Sequence, residues 1–315
     1  MRNRPVSSID RPMSLPEDPL SQLLAVAGAR AVVSTGLQAG GRWAVSVPAV
    51  GSLKFNAICR GTCELEVEGR RWQLTDGDCF LVAPDLAFVI GSDLSSVPRR
   101  AEDVFAGCNE MPFARLDAGD GPDMLCLGGR MDLPQGAELL VEALPPVTVI
   151  VAGSPAAARI GWLLERLEAE QREAAPGATA MTVQIMQMIF IELIRGIPPA
   201  EHRGWIASLS DPRIGPVIRE IHREPGRNWR LEDLAKISHL SRSRFAARFR
   251  ATVGRAPMDY VLHWRMTLAR KALAKPGSSV SAVAAEFGYA SESAFGLAFR
   301  RVTGATPRQA SRNAT

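Results

Sequence analysis

The chain has 315 residues, of which 46% are hydrophobic and 22% charged, a balance that excludes a disordered or fibrous protein and suits two packed domains. Its net charge of +4 conceals a division: residues 1–200 carry 17 basic against 24 acidic side chains, whereas the last 115 carry 20 against 9. The basic C-terminal part points to a polyanionic partner, because Lys and Arg that neutralise phosphates release condensed counterions; a solvated basic surface is the plain alternative. The cysteines, Cys59, Cys63, Cys79, Cys108 and Cys126, are odd in number, lie in the acidic part and form no CxxC pair, so they indicate neither a disulfide framework nor a zinc finger.

Residues 1–17 are polar and proline-rich without the apolar core of a signal peptide, which predicts a mobile tail and a cytoplasmic protein. From residue 18 to 153, short apolar runs alternate with glycine: Trp43–Val50, Leu53–Cys59, Glu64–Val67, Trp72–Leu74, Cys79–Val82 and Phe88–Ile90. These predict strands of an antiparallel sheet or barrel. Strict alternation in Glu64 to Glu68 sets Leu65 and Val67 on one face and three carboxylates on the other. After residue 153 the period becomes helical. Ile160, Leu163, Leu164 and Leu167 form one stripe, and a second helix, from about Thr179 to Arg195, is apolar on nearly all sides. Such a helix requires cover on most faces, from the sheet and first helix or from a second copy of the chain. Its apolar stretch, Met181–Ile194, is interrupted by Gln184, Gln187 and Glu192 and falls short of the ~20 residues a bilayer needs, so no membrane contact is expected. The helical segment is expected at 154–197, with a linker over 198–209.

Residues 210–312 contain an internal repeat. An offset of 50 pairs Ala235 with Ala285, Ile237 with Phe287, Ser241 with Ser291, Phe245 with Phe295, Phe249 with Phe299, Arg250 with Arg300, Gly254 with Gly304 and Pro257 with Pro307. Each copy reads as a short helix, a tight turn and a second helix. Ser241 and Ser291 stand where a hydroxyl caps the second helix, the phenylalanine pairs share its buried face, and Gly254 and Gly304 stop it.

These residues, L-E-D-L-A-K-I-S-H-L-S-R-S-R-F-A-A-R-F-R and V-A-A-E-F-G-Y-A-S-E-S-A-F-G-L-A-F-R-R with Y-V-L-H-W-R-M-T-L-A-R-K-A-L between them, resemble the AraC/XylS family of transcription regulators. The resemblance implies an all-α double helix-turn-helix domain binding double-stranded DNA, with the second helix of each unit in the major groove and a rigid linker helix, Tyr260–Ala274 here, setting the two about one turn apart. Arg242, Ser243, Ala246 and Ala247 then face the bases and Arg244, Arg248 and Arg250 the phosphates. The second unit offers Glu292, Ser293, Gly296 and Leu297 at the same places, with Arg300 and Arg301 behind, and is poor in donors. The first unit is therefore expected to discriminate bases and the second mainly to hold backbone.

The acidic part, through F-N-A-I-C-R-G-T-C-E-L-E-V-E-G, G-D-C-F-L-V-A-P-D and C-L-G-G-R-M-D, resembles the cupin-like domain of one branch of that family. The implied whole is a multidomain α+β chain: an N-terminal cupin-like β-barrel with a helical pair that commonly makes a homodimer, then the helical DNA-binding domain. An effector-responsive activator follows, with a small-molecule effector lodged near Trp43, Phe55, Trp72 and Phe80 and a contact to RNA polymerase. Two alternatives stay open. Cupin enzymes hold metals with histidines, but His202, His222, His239 and His263 all lie outside the barrel; Asn56 and Phe88 stand where such ligands are common, and only a Cys59, Cys63 and Glu64 set is left. A redox switch would use Cys59 and Cys63 across the Arg60-Gly61 turn. The expectation is no enzyme activity, no metal and no cofactor.

Overall fold

A computed structural model of the chain describes residues 18–27, 30–108, 113–118, 123–133, 138–173, 175–198, 201 and 203–312; the tail expected at 1–17 lies outside them. Helix α1 (Pro19–Ala27) precedes β1 (Arg30–Gly41), β2 (Ala44–Val47), β3 (Ser52–Arg60), β4 (Cys63–Val67), β5 (Arg70–Leu74), β6 (Cys79–Val82), β7 (Phe88–Gly91) and β8 (Arg99–Arg100). A short helix α2 (Ala101–Val104), β9 (Phe113–Ala118), β10 (Met124–Asp132), the single turn α3 (Glu138–Val141) and β11 (Val147–Ile150) complete the strand-rich part. The remainder is helical: α4 (Pro155–Glu173), α5 (Ala178–Gly196), α6 (Gly204–Ser208), α7 (Gly215–Arg223), α8 (Leu231–Ile237), α9 (Arg242–Val253), α10 (Pro257–Leu273), α11 (Val280–Glu286), α12 (Glu292–Thr303) and α13 (Pro307–Arg312).

Among the described residues the strands form two sheets, ordered β11-β6-β3-β10-β1-β9 and β5-β4-β7-β2-β8. Pairing is antiparallel except for β1 with β9 and β2 with β8, which departs from the all-antiparallel expectation. One apolar core lies between the sheets, with Leu37, Ile58, Phe80 and Met124 from the first meeting Val45, Leu65, Leu74 and Ile90 from the second. Alternation sets this up: Leu65 and Val67 of β4 point inward, while Glu66 on the outer face pairs with Arg71 at 2.6 Å.

The outer face of the larger sheet carries Leu53, Phe55, Ala57, Leu127 and Met131, and helices α4 and α5 cover it. Ile160, Leu163, Leu164 and Leu167 of α4 are all buried, as their spacing predicts. Phe190 of α5 meets Phe55 edge-on at 6.0 Å; full burial of such a ring stabilises by about 1.5–3 kcal/mol. The two helices run antiparallel, Arg159 bonding Glu192 at 2.5 Å. By length and composition α5 is apolar enough to cross a membrane, longer than the stretch read from sequence. It is covered on one side only: Ile185, Met186, Ile189, Phe190, Leu193 and Ile194 are buried, while Met181 and Met188, with Trp162 of α4, stay exposed.

The same core continues through Trp205, Ile214, Val217 and Ile218 to Phe245, Phe249, Tyr260 and Trp264 of the C-terminal helices. Trp205 Nε1 donates to Leu139 O at 2.8 Å, and Arg255 is held by Glu142, just after α3, and by Asp259. A separate core of Met266, Ala269, Leu273, Val283, Ala284, Phe287, Phe295 and Phe299 supports α11 and α12.

Candidate nucleic-acid interface

Two short-helix, long-helix pairs, α8 with α9 and α11 with α12, are mounted on opposite ends of α10. Tyr260, Val261 and Trp264 near its start belong to the first core, and Met266, Ala269 and Leu273 near its end to the second. At 17 residues α10 is about 25 Å long, and it begins at Pro257, three residues before the expected linker. Phe249 packs edge-on against Tyr260 at 5.7 Å. His222 of α7 lies flat on Trp264 at 3.9 Å and bonds the Tyr260 hydroxyl at 2.7 Å. Burial pulls the His222 imidazole down to about 3, so it is neutral at ordinary pH.

Backbone contact fixes the two pairs against each other. A Cβ at Gly226, before α8, would fall 2.3 Å from Glu286 O, and one at Gly288 would fall 2.4 Å from Gly226 O. Gly288 also has φ +78°, a left-handed conformation that only glycine adopts cheaply. Arg265 of α10 closes the joint by donating from Nε to Pro225 O at 2.6 Å.

The copies do not superpose at one offset. The turn bonds Leu240 N to Ala235 O and Tyr289 N to Ala284 O pair Ala235 with Ala284, an offset of 49, whereas the bonds from Phe245 to Ser241 and Phe295 to Ser291 keep 50. The second turn holds one extra residue, so the alignment of Ala235 with Ala285 and Ile237 with Phe287 is corrected by one position. The caps differ too. Ser291 Oγ accepts from Ala294 N at 3.2 Å, but the Ser241 hydroxyl makes no cap bond and sits 3.4 Å from Ser243 Oγ. Gly254 and Gly304, at φ +84° and +73°, end α9 and α12 as expected.

On α9, Phe245 and Phe249 are buried while Arg242, Ser243, Arg244, Ala247, Arg248 and Arg250 are exposed and Ala246 half-buried. Two of these arginines are tied down. Arg242 bonds Glu232 of α8 at 2.6 Å, and this bond holds the Glu232 carboxyl below its usual range. Arg248 bonds Asp211 at 2.7 Å. Burial raises the Asp211 carboxyl, but bonds from Arg248 and from the Arg213 and Ile214 amides outweigh it and leave it lowered. Those carboxylates are partners that sequence reading missed; no local spacing signals pairs 10 and 37 residues apart. Among the described residues Arg244 and Arg250 enter no ion pair. On α12, Glu292, Ser293, Leu297, Arg300 and Arg301 are exposed and Gly296 half-buried. Leu297 is 72% exposed, an apolar side chain offered to solvent in the middle of the helix.

Of the four aromatics expected around an effector, Trp43, Phe80 and Trp72 share the core between the sheets and Phe55 is set apart from them. Phe55 faces the helices. Trp43 and Phe80 sit in the core between the sheets, and Trp72 is half-buried on β5. Cys63, Cys79 and Cys126 are buried; burial pushes the first two thiols up to about 12 and the third well up, and Cys59 is also raised, chiefly by desolvation. A thiol held protonated is a poor nucleophile and a poor metal ligand. Asn56 points between the sheets with its Oδ1 3.8 Å from the Cys126 thiol, Phe88 packs on Phe80, and among the described residues no three His, Cys, Asp or Glu gather as a metal site. His222, His239 and His263 lie in the C-terminal helices or their turns; His202 is outside the described residues.

Comparison with known proteins places these features in a family. The chain matches the Cupin family over residues 18–197 and the Helix-turn-helix domain over residues 234–313. A putative AraC-like transcription regulator of Streptomyces lividans is 37% identical over 296 residues, covering 92% of this chain and 96% of that protein. The RCS-specific HTH-type transcriptional activator RclR of Escherichia coli (strain K12) is 27% identical, covering 92% and 95%. Among solved structures, the DNA-binding domain of AdpA in complex with a target DNA is 30% identical over 33% of this chain and 93% of that domain, with a TM-score of 0.31.

Proposed function

We propose, for a chain that belongs to the AraC-like family of DNA-binding transcription regulators, that α8–α9 and α11–α12 are two helix-turn-helix units that insert α9 and α12 into successive major grooves of double-stranded DNA. The observation that carries this reading is the mounting of two exposed, arginine-bearing helices on the ends of one continuous helix, α10, with a buried core at each end. Rigid spacing of that kind suits sites about one helical turn, roughly 34 Å, apart.

In this reading residues 210–312 form the DNA-binding domain, 198–209 a linker, 154–197 the helical dimerisation segment and 18–153 a cupin-like barrel that senses an effector. On α9, Arg242, steadied by Glu232, reads a base with Ser243, Ala246 and Ala247 around it. Arg244 and Arg250, which enter no ion pair among the described residues, hold phosphates, and Arg248 does so once released from Asp211. On α12, Arg300 and Arg301 hold the backbone; Ser293, Gly296 and Leu297 lie against base edges, Leu297 suiting a thymine methyl group, and Glu292 adds little. The uncovered apolar side of α4 and α5 at Trp162, Met181 and Met188 supports a homodimer through the N-terminal half. The chain acts in the cytoplasm as an activator that contacts RNA polymerase, as its relative named an activator suggests, and not as an enzyme.

Hydroxyl-radical footprinting of the full chain on a selected duplex tests the docking. Two protected tracts about one turn apart are expected, and Arg244→Ala and Arg300→Ala should each flatten the log affinity against log salt slope by about 0.9. One continuous or single short tract would refute the docking.

A further inference from the structure

The two sheets do not close on each other everywhere. Between β1, β3 and β10 on one side and β2 and β7 on the other, a cavity of about 570 Å³ opens beside α2, within the size range of small-molecule sites. Its two walls differ in chemistry. Val45, Val47, Phe88 and Ile90 make an apolar wall on the smaller sheet, while Ser34, Lys54 and Asn56 make a polar one on the larger.

Strand parity puts the lysine there. Leu53, Phe55 and Ala57 of β3 pack toward the helices, so Lys54, Asn56 and Ile58 turn between the sheets. Lys54 Nζ has Ser34 Oγ at 3.0 Å, and among the described residues no carboxylate pairs with it; desolvation pulls its ammonium below the usual value. Asn56 Nδ2 is buried with no acceptor. A β-carbon at residue 128, beside them on β10, would stand 3.0 Å from Asn56 Oδ1, so Gly128 keeps the space in front of the amide open. Charge at the rim is already balanced: Arg130 bonds Asp132 and Glu102 bonds Arg100. A half-buried ammonium with a hydroxyl but no carboxylate beside it and a buried amide donor with no acceptor therefore face one pocket, which is an arrangement that natural interiors avoid unless something fills it.

We propose that this cavity binds a small organic monocarboxylate, its carboxylate accepting from Lys54 Nζ and Asn56 Nδ2 and its apolar body lying on Val45, Val47, Phe88 and Ile90. One cation without a carboxylate partner suits one negative charge, and the rim charges Glu102 and Arg130, already paired, leave no second cation for another. The proposal rests on the reading of the N-terminal half as a sensor and supplies that sensor with a ligand class. It also gives occupancy a route outward: the strands that carry Lys54 and Gly128 present Leu53, Phe55 and Leu127 on their other face to the core that continues to α10.

Isothermal titration of the full chain, without DNA, with benzoate, phenylacetate, hexanoate and indole-3-acetate, each beside its primary amide, tests it. At least one acid is expected to bind one equivalent, at least tenfold more tightly than its amide, and Lys54→Met should weaken that acid at least tenfold while sparing the amide. Gly128→Val, which fills the space before Asn56, should abolish both and serves where Lys54→Met does not fold. If no acid in the panel binds, or if Lys54→Met binds it unchanged, the proposal falls. A gel shift on the same preparation reports DNA binding separately, so a failed titration with an intact shift leaves the DNA-binding reading in place, and the reverse result leaves the ligand site in place.

Discussion

Helix α9 carries Arg242, Arg244, Arg248 and Arg250, and at the matching positions α12 carries Glu292, Ala294, Ala298 and Arg300, although both bury a phenylalanine pair at the same spacing. Carboxylates from α8 and from the segment before α7 steady two of the α9 arginines; residue 281, which corresponds to Glu232 at the offset of 49, is a serine. The α12 unit instead has the better-formed cap and a core of its own. The scaffold is set by buried spacing, and the outer face is free to change charge without disturbing it. A shared fold therefore does not imply a shared reading surface.

The cores are the place to break this comparison hardest. Phe249 belongs to the core that reaches back to the sheets and Phe299 to the separate one. Each truncation to alanine should cost about 3–5 kcal/mol, but hydrogen exchange should show Phe299→Ala loosening α11 and α12 alone and Phe249→Ala loosening α6 to α9 as well. Equal spread of exchange from both variants would mean that the second core is not separate.

Acid should distinguish the pairs next. Stability from a neutral His222 is fully present above its unfolded value of 6.5 and is lost as pH falls toward the folded value of about 3, because the unfolded chain takes up a proton that the native chain refuses. At about 1.4 kcal/mol per pH unit, roughly 2 kcal/mol disappears between pH 6.5 and 5. Urea melts of His222→Gln should lack that increment, and an unchanged pH dependence would remove the histidine from the account. The smallest effect concerns the caps: Ser291→Ala should cost about 1 kcal/mol, and Ser241→Ala, which loses no cap bond, only a few tenths. Reversed values would contradict the cap geometry.

Strongly periodic segments were legible in the sequence. The α4 stripe, the runs that became β2 to β7, and the phenylalanine spacing of both repeat copies follow from burial on one face. β1 and β8 to β11 carry no comparable signal. In β1 the glycines Gly36, Gly40 and Gly41 and a register shift between Ser34 and Leu37 interrupt the alternation, and in β10 Gly128 and Gly129 give no side chain to alternate. The offset error arose because Ile237 and Phe287 match in character while the backbone bonds match Ala235 to Ala284. Lys54 was visible as a cation inside an apolar run, and parity against Leu53 and Phe55 was the signal that it turned inward. Trp43, Phe55, Trp72 and Phe80 are alike in being large and apolar, and size carries no information about face.

The two helices, mounted on one scaffold, are expected to read DNA unequally. Selection of binding sites by the full chain from a random duplex pool, repeated with Arg242→Ala and with Glu292→Ala, tests it most directly. Two half-sites about one turn apart are expected, one stringent and relaxed by Arg242→Ala, the other loose and unchanged by Glu292→Ala. A site whose more stringent half relaxes with Glu292→Ala, or half-sites with no fixed spacing, would contradict it.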